Sequence, residues 1–200
     1  MAETSNLVKP PQYRRGSGAS EVRIEDGASW GLPGVRVYVK RQQNYTCRPA
    51  WRLWRRTPTL RRELRALEAC RALGFDVPTV VHFRQQGLDA ELAIGEITGA
   101  LPLQAALAQA GADAPEVLGR VGRTIARLHD AGWSHGALYG DHILVRPGRH
   151  GEVFLIDFEK ARRSRRLAAA DLERLLRRST FLSDAERQCL VESYRAARKR

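Results

Sequence analysis

The chain has no apolar run approaching the roughly eighteen residues needed to span a bilayer, and its start, MAETSNLVKPPQYRRGSGAS, lacks the apolar stretch of a secretory signal. A cytosolic protein is expected, with at most peripheral contact to a membrane. Cysteine is scarce. The three present, Cys47, Cys70 and Cys189, are odd in number, unclustered and spaced for neither a metal site nor a redox pair, so they read as reduced thiols, Cys70 on a buried helix face. No segment repeats. Lysine is rarer still for so basic a chain: four lysines stand against thirty arginines, so each lysine position carries information. The net charge of +12 calls for acidic partners or an anionic surface. Arginines cluster at residues 52–62, at 162–166 and at 174–178, and a recognised nucleic-acid-binding motif accompanies none of them. With 43 % apolar residues in 200, the chain can build one substantial domain or two small lobes.

The periodicity divides the chain in two. Residues 1–13 are polar and carry Pro10-Pro11, a flexible tail or a poor edge strand. EVRIE from Glu21 and VRVYVK ending at Lys40 alternate apolar and charged residues around a Gly/Pro connection, which predicts a hairpin. From Thr57 the period changes. Leu60, Leu64, Leu67, Cys70 and Leu73 mark a helix capped by Thr57-Pro58 and ended by Gly74. TVVHF from Thr79 and ELAIGEI from Glu91 add two strands. Beyond Gly99 the pattern is helical: LQAALAQA, then a segment striped by Leu118, Val121, Ile125 and Leu128 and closed at His129–Gly132. HILV and VFLID bracket a polar turn. DLERLLRR and a helix capped by Ser183 and Glu186 follow. The fold class is α+β and two-lobed: a tail over 1–13, an N-lobe over 14–97 and a C-lobe over 98–200.

HGALYGDHILV at His135–Val145, followed by LIDFEKARR at Leu155–Arg163, has the order of a kinase's two catalytic loops. His135 holds the place of the loop histidine, His142 that of the asparagine, and Asp157-Phe158 that of the metal-binding pair, with Glu159 where glycine is usual. Ala137 takes the place of the catalytic aspartate. With YVKRQQNY at Tyr38–Tyr45 and RRTPTLRRELRAL at Arg55–Leu67, these segments resemble the lipopolysaccharide kinase (Kdo/WaaP, InaA-like) family of bacteria. The resemblance implies a protein-kinase-like fold, ATP with Mg2+, and phosphorylation of a sugar hydroxyl, Kdo or heptose, in the lipopolysaccharide inner core at the cytoplasmic membrane face.

Within that frame Lys40 and Glu63 form an ion pair that anchors the nucleotide phosphates, with Glu68 as a rival acid one turn on. Gly16, Ser17 and Gly18 offer a phosphate-covering loop, or a Gly-Ser tail. Glu96 and Ile97 match the interlobe linker whose backbone meets adenine. Asp157 emerges at a strand end to hold Mg2+, and His142 either joins it as a ligand or hydrogen-bonds the loop. His135 orients the loop, Asp141 is a substitute base, and Asp171 is an N-cap or a brace. Arg162 and Arg163 would hold carboxylates or phosphates of an acidic glycolipid. WRLWRR at Trp51–Arg56 packs in the core or anchors at anionic lipid. Because Ala137 offers no base, a pseudokinase or nucleotide-binding interaction module is the alternative. Nucleic acid is an unlikely partner.

Overall fold

The computed structural model describes residues 7–9, 18–47, 56–148 and 151–198. The chain divides into two compact units, one of residues 1–68 and 78–98, the other of residues 69–77 and 99–200. The WRLWR stretch, Gly16 and Ser17 lie outside the described residues.

The first unit is a five-stranded antiparallel sheet in the order β1-β2-β3-β7-β6, built from β1 (Leu7–Lys9), β2 (Ala19–Asp26), β3 (Arg36–Gln43), β6 (Val80–Gln86) and β7 (Asp89–Gly95). The expected hairpin is β2–β3, with Val22 opposite Lys40. Where 1–13 read as a tail or poor edge strand, Leu7–Lys9 pairs with β2 at the sheet edge. Side chains on a strand alternate between faces. Val37 and Val39 therefore point one way, into an apolar cluster with Ala93, Trp30 and Leu32. Lys40 and Gln42 point the other way, toward the helix α1 (Thr59–Ala72).

Two expectations need correction in this unit. Lys40 does not end its strand, because β3 continues to Gln43. The continuation is polar in sequence, yet Gln42 is buried, its Oε1 accepting from the Thr59 hydroxyl and the Leu60 N–H at the start of α1. Thr57-Pro58 does not cap α1 either. It forms a short strand, β5, against β4 (Thr46–Cys47), and α1 begins one residue later. The helix ends as expected. Gly74 takes φ +75°, and the Phe75 N–H closes back on the Cys70 carbonyl.

In the second unit a small sheet in the order β11-β10-β8 joins β8 (Leu101–Pro102), β10 (Ile143–Val145) and β11 (Val153–Leu155), the last two being the HILV and VFLID hairpin. Of the helices α2 (Leu103–Ala110), α3 (Ala114–Asp130), α4 (Ala168–Arg178) and α5 (Asp184–Ala197), α2 and α3 pack against this sheet and α5 packs on α3. The apolar stripe of α3 is buried at Leu118, Val121, Ile125 and Leu128, as its spacing predicts. Ser183 and Glu186 make the reciprocal capping box that opens α5. The Arg187 guanidinium donates to the carbonyls of Leu176, Ser179 and Leu182, so one cation satisfies the carbonyl-rich turn between α4 and α5. Cys70 is buried, and burial pushes its thiol up to about 12, which leaves it an inert core residue.

Candidate active site

Lys40 and Glu63 meet as the spacing suggested: Nζ lies 2.7 Å from Oε1, with the Lys40 side chain 16 % exposed and that of Glu63 1 %. Glu68, the rival, is exposed on another face of α1. A lysine hydrogen-bonded to a buried carboxylate has its ammonium group held beside α1. Gly18 opens β2 so close to the carbonyls of Gln43 and Asn44 that no Cβ would fit, which gives this glycine a packing reason of its own. Glu96 follows β7. Its N–H donates to the Arg36 carbonyl and its carboxylate takes both arms of the Arg36 guanidinium, which holds its carboxyl below the usual range. The Glu96 N–H is therefore already spent, and of the two residues expected at the linker Ile97 has the next N–H.

The second unit gathers the loop 133–142 and the turn at 157–160. Asp157 has φ 62° and ψ 58°, a left-handed conformation that costs a non-glycine residue about 1 kcal/mol or more. Such outliers persist where the surroundings over-determine them. Here Phe158 is buried under the His135 ring at a centroid distance of 4.6 Å, and the Ala161 N–H returns to the Phe158 carbonyl. The tight turn they form presents the Asp157 carboxylate. Gly136, at φ +75°, lies against Lys160 so closely that a Cβ would stand 2.5 Å from the Lys160 carbonyl oxygen. Loop and turn thus meet backbone to backbone.

His142 connects the two. Its Nδ1 is 2.7 Å from the Ala137 carbonyl, an acceptor only, so Nδ1 must carry the proton and donate. Nε2, then an open lone pair in the neutral ring, faces Asp157 Oδ2 at 3.5 Å. An imidazole whose far nitrogen donates to a backbone carbonyl is the usual arrangement of a metal-ligating histidine. Two acceptors facing each other need a cation or a proton between them, and this donor set fits a divalent ion whose remaining ligands come from phosphate oxygens and water. Among the described residues no group of three or more His, Cys, Asp or Glu side chains could hold a metal by itself, so Asp141, exposed on the turn before His142, does not complete such a set.

His135 is fully buried. Its Nε2 donates to the Ile156 carbonyl at 2.9 Å, fixing the strand that leads into Asp157. Burial first, and the neighbouring His142 second, lower its pKa to about 4, so the ring is neutral. Because the folded value lies below the ordinary 6.5, the unfolded chain takes up this proton first as the pH falls. The contribution of His135 to stability is complete above about pH 6.5 and is lost as the pH drops toward about 4, by a few kcal/mol. Urea midpoints measured at pH 7 and pH 5 should differ less for His135→Asn than for the parent chain; equal differences would contradict this assignment.

Asp171 is a brace and not a cap. It sits in the first turn of α4, 1 % exposed, and its Oδ2 accepts from the Ser134 hydroxyl at 2.9 Å and the His135 N–H at 2.5 Å, while Oδ1 accepts from the Gly136 N–H at 2.9 Å and Arg174 at 3.0 Å. Burial alone would raise its pKa. Contacts from His129, Ser134 and the two loop amides outweigh burial and hold it below the usual carboxylate range. His129 was not singled out as a site residue, although a polar residue four positions beyond Ile125 on a buried stripe was a usable signal. Arg162 and Arg163 form the short strand β12 against Trp133–Ser134 (β9), both exposed.

The fold has counterparts among solved structures. The solved structure of WaaP in complex with acyl carrier protein is 15 % identical, with TM-score 0.67 over 96 % of this chain and 79 % of that one. An aminoglycoside-3'-phosphotransferase of type VIII is 17 % identical, with TM-score 0.63 over 97 % and 86 %. At such identities the two likenesses establish the fold, which is protein-kinase-like. No curated protein sequence matches the chain. The model of one family spans residues 1–194, and this chain belongs to that family, the lipopolysaccharide kinase (Kdo/WaaP) family.

Proposed function

We propose that the protein transfers the γ-phosphoryl group of ATP to a sugar hydroxyl, on Kdo or heptose, of the lipopolysaccharide inner core at the cytoplasmic face of the membrane. Membership of a family of lipopolysaccharide kinases supports a phosphotransferase. The observation that carries the reading is the left-handed Asp157 facing His142 beside a loop braced by Asp171. In this reading Lys40, held by Glu63, grips the α- and β-phosphates. The Ile97 N–H and the Glu96 carbonyl meet the adenine edge. Asp157 and His142 hold a divalent ion, which when bound would neutralise charge on the β- and γ-phosphates. Arg162 and Arg163, exposed on the strand after that turn, hold anionic groups of the acceptor. Among the described residues no helix is long and apolar enough to cross a membrane.

Ala137, buried, cannot take the hydroxyl proton. A positioned base is worth about 10²–10⁴ in rate, and a loose phosphoryl-transfer transition state loses that proton late, so transfer survives at reduced rate on positioning and electrostatics. Asp141 is the carboxylate offered to the proton. Labelled phosphate should pass from γ-labelled ATP to core glycolipid; no transfer with either Mg2+ or Mn2+ would leave the pseudokinase reading.

The nitrogen ligand also bears on the metal. Imidazole suits softer ions better than Mg2+, so Mn2+ should support nucleotide binding better than Mg2+ does. His142→Asn should shift the ratio of the two metal–nucleotide affinities toward Mg2+ by about tenfold, read by calorimetry. An unchanged ratio would place His142 outside the metal's ligands.

A further inference from the structure

The brace on the catalytic loop does not stop at Asp171. His129, near the end of α3, is fully buried with Nε2 3.5 Å from Asp171 Oδ2 and Nδ1 2.8 Å from the Tyr194 hydroxyl. Tyr194 stands on α5, thirty-four residues beyond the turn at 157–160, and its ring meets His129 edge-on at 5.5 Å. Arg198, just past α5, donates from Nη1 to the Tyr194 oxygen at 3.1 Å and from Nε to Asp130 Oδ1 at 2.9 Å. The reach across helices rests on Gly122: a Cβ there would stand 2.9 Å from both the Leu190 carbonyl oxygen and the Tyr194 nitrogen, so α5 packs directly on the α3 backbone.

With the ring neutral the donors run one way, because a proton on Nδ1 would set the Nε2 lone pair against the Asp171 carboxylate. Arg198 has no acceptor to offer, so the Tyr194 oxygen accepts from it and the hydroxyl proton is free to point at His129. His129 Nδ1 then accepts, and its proton resides on Nε2, 3.5 Å from the ionised Asp171 carboxylate, an electrostatic contact longer than a hydrogen bond. Without the hydroxyl, Nδ1 would be a buried acceptor with nothing to accept. The ring would relieve that by moving its proton to Nδ1 or by turning, and either change sets a lone pair against the Asp171 carboxylate or removes the contact. Asp171 is the acceptor of the Ser134 hydroxyl and of the His135 and Gly136 amides, so its position is the loop's position.

We propose that Tyr194, acting through His129, is a positioning residue for the catalytic loop, so that the C-terminal helix α5 sets the geometry in which Asp171 holds residues 134–136. The inference rests on the phosphotransferase reading only for its kinetic consequence. Its structural consequence is independent of activity. Tyr194→Phe keeps the ring and the helix packing and removes one oxygen. Multiple-bond nitrogen–proton NMR on histidine-labelled protein should show His129 as the Nε2–H tautomer in the parent and as a mixture or the Nδ1–H form in Tyr194→Phe. Amide exchange at Gly136 should quicken about tenfold, while exchange in the β2–β3 hairpin should not change. With transfer measurable, kcat should fall about tenfold with little change in KM for ATP. If Tyr194→Phe does not fold, Arg198→Gln, which removes the donor that orients the hydroxyl along with the Asp130 ion pair, should show the same tautomer and exchange changes at smaller size. An unchanged His129 tautomer with unchanged Gly136 exchange would overturn the proposal. Changes in both without any phosphate transfer by the parent chain would uphold it and count against the phosphotransferase reading alone.

Discussion

Asp171→Ala is expected to lower stability by about 4 kcal/mol, which for a chain of this size is a fall in Tm of about 10 °C. The carboxylate is 1 % exposed and serves the Ser134 hydroxyl, two backbone amides and Arg174. Alanine would leave those donors buried without an acceptor, at about 1–3 kcal/mol each before relaxation. Asp171→Asn, which keeps one acceptor oxygen and adds a donor, should fall between the two. Thermal unfolding followed by circular dichroism checks both variants. A loss under about 1 kcal/mol for Asp171→Ala would mean that the loop is held by its glycine contact and apolar packing instead.

Lys40→Met is expected to weaken ATP binding by about ten- to a hundredfold, the worth of one charge-assisted hydrogen bond to a phosphate. It also takes the cation from a carboxylate that is 1 % exposed, which should cost about 3 kcal/mol of stability. The two effects separate in the double variant Lys40→Met, Glu63→Leu. An apolar pair of similar volume should recover most of the stability and none of the ATP affinity. Recovery of both would show that the lysine acts only as the glutamate's partner.

The elements visible in the sequence are those whose signals are local. The β2–β3 hairpin followed from alternation on either side of a Gly/Pro connection, and α5 from the Ser183–Glu186 box. The Lys40–Glu63 pair was legible because lysine is rare in this chain and because Leu60, Leu64 and Leu67 fixed the orientation of α1. His142 and Asp157 were legible as a pair from their places in the two loops, and they do stand 3.5 Å apart. What stayed hidden depends on partners distant in sequence. Gln42 reads as the polar end of a strand until Thr59 buries it. Asp171 at a helix start reads equally well as a cap, since the loop amides it serves lie thirty-five residues earlier. Gly136 carries no local mark of the Lys160 carbonyl it admits. Tyr194 looks like one more half-apolar residue of an amphipathic helix until Gly122 brings α5 onto α3.

The central claim is that Asp157, with His142, is where a divalent ion and the nucleotide phosphates are held. Calorimetric titration of ATP into the parent chain and into Asp157→Ala, each with and without Mg2+ or Mn2+, tests it most directly. The account predicts that the parent binds ATP more tightly with metal than without, and that Asp157→Ala binds it equally in both conditions, at close to the parent's metal-free affinity. Metal-dependent binding of undiminished strength in Asp157→Ala would contradict it.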